Sequence, residues 1–584
     1  MLIHALLFLT VANDRPSLPD PTTTSLEVAR IAAEFPGQVR RVEYGRSLEG
    51  RPLELLRIAR EPLDPDRPAL LIAAGLDPHH PFGTAMALEI AERTARAAED
   101  TAAPLLDAFT VYVLPLADPD GVARSTNGGP AGTGPDQDED RDGRRGEDPP
   151  TDLDGDGLIL GLRVPDASGD WILDPHDPRA LLDRDELVGR VSEEPDLLEL
   201  LAPDVQRYRL APEGLDRDGD GDTGEDTAGD RRFDANFPAG WPEHAPRAGR
   251  YATGDPSVRA LCDWVLSREE LVLVIGLGAV DHLRGGFKAA GAATGRVPAT
   301  GPMQDDLTWL EALAERGRDA MGIETGDASD HDDAGHFLRW SYDHRGLWTL
   351  GVRPWVLPTA AEATAAAEEA DEAEEAKVRE VAETLDVPEE PLEDQPESPI
   401  GEPSDDAGRL AWIDQQDEQW RFHPWSPLEH PQLGAVELGG FTPAAHTIPP
   451  TDEWEALFEG ACEFLFGLAD TAPRLTIESC TAESLGTDLW RVRARALNSG
   501  WLPSSSAARE RSRQGRNTTL TLELPPGAEL LANPARVVLS ALDGGQTQSA
   551  EWLVRTAEIG RVRVALDSAN AGIDAAIPTP EENR

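Results

Sequence analysis

Pro68–Gly83 reads PALLIAAGLDPHHPFG: an apolar run that ends in a turn carrying Asp77, His79 and His80. A continuous run of small and branched apolar residues, bounded by proline and glycine, fits a strand buried on both faces. If the strand stops at Gly75, the residues after it are held by a rigid sheet, a common place to mount a metal site. Asp77, His79 and His80 are close in type and spacing to a two-ligand metal pair.

Reading outward, SLEVARIAAEF (25–35) has a helical period, VRRVEYG (39–45) and LELLRIAR (53–60) read as strands, and a helix starts at Phe82. FTVYVLPL (109–116) continues the strand series and ends in ADPDG. Regular elements resume at Pro256 with a helix, the apolar strand LVLVIGLGAV (271–280), a helix over 306–317, another over 335–344, and the strand GLWTLGV (346–352). Strands alternating with helices predict an α/β fold, a mixed twisted sheet with helices on both faces. Two insertions interrupt it, an Asp- and Gly-rich one over 128–230 and an acidic low-complexity one over 359–408. A helix at Glu453–Leu468 closes this domain, which spans 25–470. From 473 to 570 short alternating runs separated by Gly, Pro, Asn and Ser predict a C-terminal all-β sandwich.

The chain has 584 residues, more than one ordinary core accommodates. Its formal net charge is -55, from 108 acidic and 53 basic residues, which argues against nucleic acid or an anionic membrane as partner and favours cations or basic ligands. Residues 1–12, within MLIHALLFLTVAN, have the length and apolarity of an export signal ending at Ala12, without its basic start. A simple N-terminal strand or a retained anchor are the alternatives. No later stretch has the ~20 apolar residues of a membrane span. Cys262, Cys462 and Cys480 lie in apolar contexts and read as core residues, with one disulfide open.

Several motifs carry a family resemblance. Gly45-Arg46-Ser47-Leu48-Glu49-Gly50-Arg51-Pro52-Leu53 resembles the G-x-S-x-E-G-R-P-I hairpin of the zinc metallocarboxypeptidases. Asp118-Pro119-Asp120-Gly121 is similar to their N-P-D-G turn, and Phe233–Trp241 (FDANFPAGW) to their D-x-N-R-N-F-P-x-G-W segment. Gly346–Trp355 (GLWTLGVRPW) resembles the strand ending in E-L-W, and His430–Gly440 a segment of large bacterial members with a C-terminal β-domain. The Gly75–Gly83 turn itself aligns with G-x-H-x-x-E-x-x-G, which carries the first two zinc ligands.

In that family, hydrolysis needs three protein ligands on zinc, a glutamate base and arginines for the substrate carboxylate. The resemblance puts Asp77 and His80 on the first two ligand positions, Gly278 on the third and Arg353 on the base. The arginine of N-R-N-F is replaced by Ala235 or deleted. Glycine offers no ligand, and arginine stays protonated. The expectation is a homologue without hydrolytic activity, zinc not retained, in which Arg353 pairs with Asp77 where the metal once sat. The competing expectation is an active metallopeptidase with a rearranged site of Asp77, His80 and His282 or Asp281.

Asp152-Leu153-Asp154-Gly155-Asp156-Gly157 fits the opening of a calcium loop, in which alternate carboxylates converge and glycine permits the turn. Asp216, Asp218, Asp220 and Asp222 repeat the phase, with Glu225 and Asp226 nearby, and Asp138–Gly143 follows it less regularly. None has a glutamate at the twelfth position. Structural calcium is expected at the first two loops, with a solvated acidic loop as the alternative.

Other chemistries find little support: no G-x-S-x-G elbow, phosphate-binding glycine loop or C-x-x-C pair occurs. His331, His336 and His344 read as core or solvated histidines, and Glu437 as part of a strand joining the two domains. Trp340, Trp348, Trp355, Trp412, Trp420 and Trp425 leave core packing or a ligand-facing wall open. The functional expectation is a secreted, periplasmic or envelope protein that binds or scaffolds a peptide or protein ligand. A purely structural envelope component is the remaining reading.

Overall fold

The computed structural model describes residues 15–60, 67–99, 103–126, 128–134, 144–192, 194–226, 229–245, 247–289, 301–326, 334–359, 404–513 and 516–580. The signal segment 1–12, the third Asp-rich loop at 138–143, His331 and most of the acidic insertion (360–403) lie outside these residues.

The chain enters through α1 (Pro21–Glu34), which starts at the N-cap Asp20 and buries Val28 and Ile31 on one face. Strands β1 (Val39–Arg46) and β2 (Pro52–Ile58) form a hairpin, followed by β3 (Ala69–Ala74), α2 (Phe82–Ala97), α3 (Pro104–Ala108), β4 (Thr110–Leu114) and α4 (Pro119–Ser125). All of β3 and β4 is buried, as their uninterrupted apolar sequences require of strands covered on both faces.

Between α4 and the return to the main sheet lie β5 (Gly161–Pro165), β6 (Trp171–Leu173), β7 (Leu181–Asp183), α5 (Arg184–Arg190) and β8 (Tyr208–Pro212). Then come α6 (Pro256–Leu266), β9 (Leu271–Leu277), the short α7 (His282–Gly285), α8 (Gln304–Met321), α9 (Phe337–Arg345) and β10 (Trp348–Val352). The main sheet runs β1-β2-β4-β3-β9-β10. Its first pairs are antiparallel and the β4-β3-β9-β10 pairs parallel, so the sheet is mixed as expected. One core packs α1, α2, α8 and the helix Trp454–Gly467 on one face. The other packs α6 and α9 on the opposite face.

The Asp- and Gly-rich insertion is more than a loop. Its strands β5 to β8 join β11 (Phe422–His430) and β12 (Gly434–Phe441) in a second sheet, ordered β11-β12-β5-β8-β6-β7. Glu437 therefore does not join the two domains: it lies on β12 opposite Arg163 of β5, with a 2.8 Å ion pair between them. The Trp-rich region resolves as packing. Arg421, fully buried, lies against the rings of Trp355, Trp412 and Trp420 and donates to the carbonyls of Ala445 and Ile448.

The remaining strands are β13 (Leu475–Gly486), β14 (Leu489–Asn498), β15 (Thr519–Glu523), β16 (Glu529–Ala532), β17 (Arg536–Val538), β18 (Thr547–Arg555), β19 (Arg563–Ser568), β20 (Gly572–Ala576) and β21 (Thr579–Pro580). They form the sheets β16-β18-β14-β13-β21 and β17-β15-β19-β20 around one core that includes Trp552 and Val564. The β-domain docks through its helix Ala507–Ser512. The Asp306 carboxylate of α8 accepts the Ala507 and Ala508 N–H groups at 2.8 and 3.2 Å and the Tyr342 hydroxyl at 2.6 Å. All three cysteines are buried and free, so the disulfide left open by the sequence does not form.

Candidate functional site

Strands β3, β9 and β10 are parallel neighbours in register: Ala74 lies opposite Leu277, and Leu277 opposite Val352. The residues just past their C-terminal ends, Gly75, Gly278 and Arg353, therefore share one rim, the usual ligand edge of a parallel sheet. Gly75 has φ +59°, and a Cβ there would lie 2.6 Å from Leu116 Cδ1, so the turn requires glycine. At Gly278 the space is open, with no atom within 4 Å of an added Cβ.

Asp77 is buried beyond Gly75. Its Oδ1 accepts the His79 N–H at 2.9 Å, and its Oδ2 lies 3.4 Å from His80 Nδ1 and 3.8 Å from Arg232 Nη2. Burial pushes its pKa upward, but the neighbouring His80 and then His79 outweigh it, and the carboxyl is held well below its ordinary value.

Arg353 does not pair with Asp77, contrary to the expectation from the sequence. Its Nε and Nη2 both donate to the Ala279 carbonyl, at 3.1 and 2.5 Å. The Asp77 charge still reaches it: burial lowers the Arg353 pKa, while Asp281 and, less strongly, Asp77 act to raise it. The cation beside Asp77 is instead Arg232, from a segment remote in sequence.

His282 Nδ1 accepts the Gly351 N–H at 2.8 Å, so the ring proton is assigned to Nε2. Its ring packs on Phe287, and burial pushes its pKa down to about 3, with His336 nearby acting in the same sense. Asp281 caps α7 through the Leu283 and Arg284 N–H groups and pairs with Arg284. Among the described residues no three metal-ligating groups gather at this rim. Sequence reading missed one buried pair behind it: His336 Nε2 lies 2.9 Å from Asp234 Oδ1, and its Nδ1 accepts the Leu338 N–H. Asp234 belongs to the FDANF segment, but nothing in the sequence linked it to His336.

Two of the quoted motifs meet in space. The Asp120 carboxylate of the ADPDG turn accepts the Ser47 hydroxyl at 2.8 Å, the Glu49 N–H at 3.0 Å and an Arg51 N–H at 2.5 Å. The β1–β2 hairpin is thereby fixed beside α4. Asn236 of the FDANF segment similarly bonds the Ala248 carbonyl and the Asp255 N–H, fixing the N-terminus of α6.

The two Asp-rich loops have one conformation. Asp152 accepts Gly155 and Gly157 N–H groups, and Asp216 accepts those of Gly219 and Gly221. Asp154 and Asp218 each accept the N–H two residues on. Carboxylates converge in three groups: Asp152, Asp154 and Asp156; Asp148, Asp216 and Asp218; and Asp218, Asp220 and Glu225. Asp222 is not among them, because it pairs with Arg209 at 2.9 Å. Asp148 joins from outside the motif, its carboxylate accepting the Arg217 N–H. Burial, with the Asp148 and Asp220 charges, pushes the Glu225 carboxyl up to about 7.

Against known families, residues 27–157 match the zinc carboxypeptidase model. That stretch, which carries the hairpin, the Asp77 turn and the ADPDG turn, is similar to the zinc carboxypeptidases. Residues 474–576, the β-domain, match a domain of unknown function. Among solved structures, bovine thrombin-activatable fibrinolysis inhibitor, in complex with tick carboxypeptidase inhibitor, is 12% identical, with 57% of this chain and 86% of that chain covered at a TM-score of 0.33. The Helicoverpa armigera carboxypeptidase A is 14% identical, with 59% and 68% covered at 0.34. The Pseudomonas aeruginosa metallo-carboxypeptidase, in complex with (2-guanidinoethylmercapto)succinic acid, is 14% identical, with 57% and 59% covered at 0.27. The resemblance rests on the match over residues 27–157, not on these overlaps.

Proposed function

We propose that this zinc-carboxypeptidase homologue does not hydrolyse peptides and acts outside the cytoplasm as a binding or scaffolding protein for a peptide or protein ligand. The observation that carries the reading is the rim itself: where three strand ends meet, Gly278 contributes no side chain and Arg353 contributes a cation. The residues present do not fit a zinc ion. Asp77 is engaged by His79, His80 and Arg232, and the Nδ1 lone pair of His282 is taken by the Gly351 N–H. A glutamate base has no counterpart at Arg353, since a guanidinium does not accept a proton at neutral pH.

Location outside the cytoplasm is supported by the apolar run at residues 1–12. Among the described residues no helix is long and apolar enough to cross a membrane.

Calcium is the metal this reading assigns, held structurally by Asp152, Asp154 and Asp156 and by Asp148, Asp216, Asp218, Asp220 and Glu225. The support is the repeated D-x-D-G-D-G phase and the shared loop conformation. A cation there would relieve the repulsion among clustered carboxylates.

Zinc titration of the purified, metal-stripped chain tests the central part. The reading expects no stoichiometric site that withstands competition from a micromolar chelator. One tightly held zinc per chain, lost on changing Asp77 or His80, would instead establish the rearranged metal site.

A further inference from the structure

A cavity of about 520 Å³ lies on the far side of the Asp77 turn, between the extended N-terminal strap 15–20, the end of α4, the exit of the first Asp-rich loop and the end of β12. This is within the size range of small-molecule sites. Leu18, Val122, Leu160, Phe441 and Pro443 give its walls an apolar part, with Pro78 and Pro81 from the turn, beside the polar Ser17, His79, Ser125 and Thr126. Proline has a fixed φ and no N–H, so these walls are apolar and stiff. The neighbouring walls are also pinned. The Thr447 hydroxyl donates to the His79 carbonyl at 2.7 Å, and a Cβ on Gly128 would lie 2.5 Å from the Ile159 carbonyl oxygen.

One cation enters this cavity unmatched. Arg15 is partly buried, and one of its N–H groups donates to the Thr126 carbonyl at 2.8 Å. Among the described residues that is its only hydrogen-bond partner, and no carboxylate lies within ion-pair distance, in a chain where acidic residues outnumber basic ones 108 to 53. Asp20 also lines the cavity, but its carboxylate is turned to the Thr23 N–H and hydroxyl as the cap of α1. Burial lowers the Arg15 pKa, as for a desolvated cation lacking a counter-ion.

We propose that this cavity is a binding site for a small carboxylate with an apolar body, the carboxylate seated on the remaining guanidinium N–H groups of Arg15 and the body against Leu18, Leu160 and Phe441. Arginine presents a planar fork that matches a carboxylate, and the bond is charge-assisted. The cavity shares the Pro78, His79 and Pro81 turn with the strand-end rim, but Arg15, Leu18, Leu160 and Phe441 are not among the residues weighed there for hydrolysis, so the inference holds whether or not the chain hydrolyses peptides.

Calorimetric titration of the full chain with octanoate, 1-octanol and octylammonium tests it, because the three probes share a tail and differ in charge. Octanoate is expected to bind about tenfold more tightly than octanol, and octylammonium more weakly than either. Arg15→Gln, checked for an unchanged melting temperature, removes the octanoate advantage, and Arg15→Lys retains part of it. Equal affinity for octanoate and octanol, an octanoate advantage that survives Arg15→Gln, or no saturable octanoate binding below its micelle concentration would each overturn the proposal.

Discussion

Gly75 and Gly278 follow paired residues on adjacent parallel strands, yet one is closed against Leu116 while the other faces open space. Gly75→Ala should cost more than about 1 kcal/mol, since alanine meets both a positive φ and a backbone contact. Gly278→Ala should stay within about 0.5 kcal/mol, because its new methyl touches nothing. Denaturant unfolding of the two variants checks the contrast.

Asp118 caps α4 with Oδ1, while its Oδ2 is buried with no hydrogen-bond partner among the described residues, as is the Tyr44 hydroxyl. Burial raises its pKa well above 3.8, with Asp255, Asp120 and Asp77 adding to the rise. An acid whose folded pKa is raised contributes stability below the unfolded value, and that contribution is lost as pH climbs through the folded one. Asp118→Asn keeps the cap and removes the titration. Its melting temperature should gain on the unmodified protein as pH rises above the ordinary carboxylate range, and the gap is read from paired thermal melts.

The docking of the β-domain rests on Asp306, which accepts two backbone N–H groups of the helix Ala507–Ser512 and the Tyr342 hydroxyl. Asp306→Ala leaves two buried donors and one partly buried donor unmet and should cost about 3 kcal/mol. Scanning calorimetry should then resolve a separate, earlier transition for one domain.

Calcium at the Asp-rich loops predicts a concentration-dependent rise in stability, about 2.7 kcal/mol when calcium exceeds its Kd about a hundredfold. The double variant Asp152→Asn with Asp216→Asn should lose most of it. Magnesium at the same concentration should give a smaller rise, because it demands a tighter octahedral shell.

The sequence made the main sheet legible, because β3, β4 and β9 are short apolar runs bounded by turn residues, and all three are fully buried. It also exposed the hairpin and the ADPDG turn, though not that Asp120 ties them together. The second sheet stayed hidden. Its strands β5 to β8 span three to five residues within an acidic, glycine-rich stretch, and β5 finds its partner β12 only after the rest of the domain has intervened. The Arg353–Asp77 pair failed for a related reason. Position at neighbouring strand ends brings backbones together, but the guanidinium takes the nearer Ala279 carbonyl, and a cation from a remote segment, Arg232, reaches Asp77. That Asp148 joins the carboxylate cluster was missed because it lies outside the D-x-D phase.

The central claim is that the strand-end rim does not support hydrolysis. Its most direct test is mass spectrometry of a C-terminally varied peptide library incubated with the purified chain and zinc. The account predicts no release of C-terminal residues above the protein-free control. Release that is abolished by a chelator and by Asp77→Ala would contradict it.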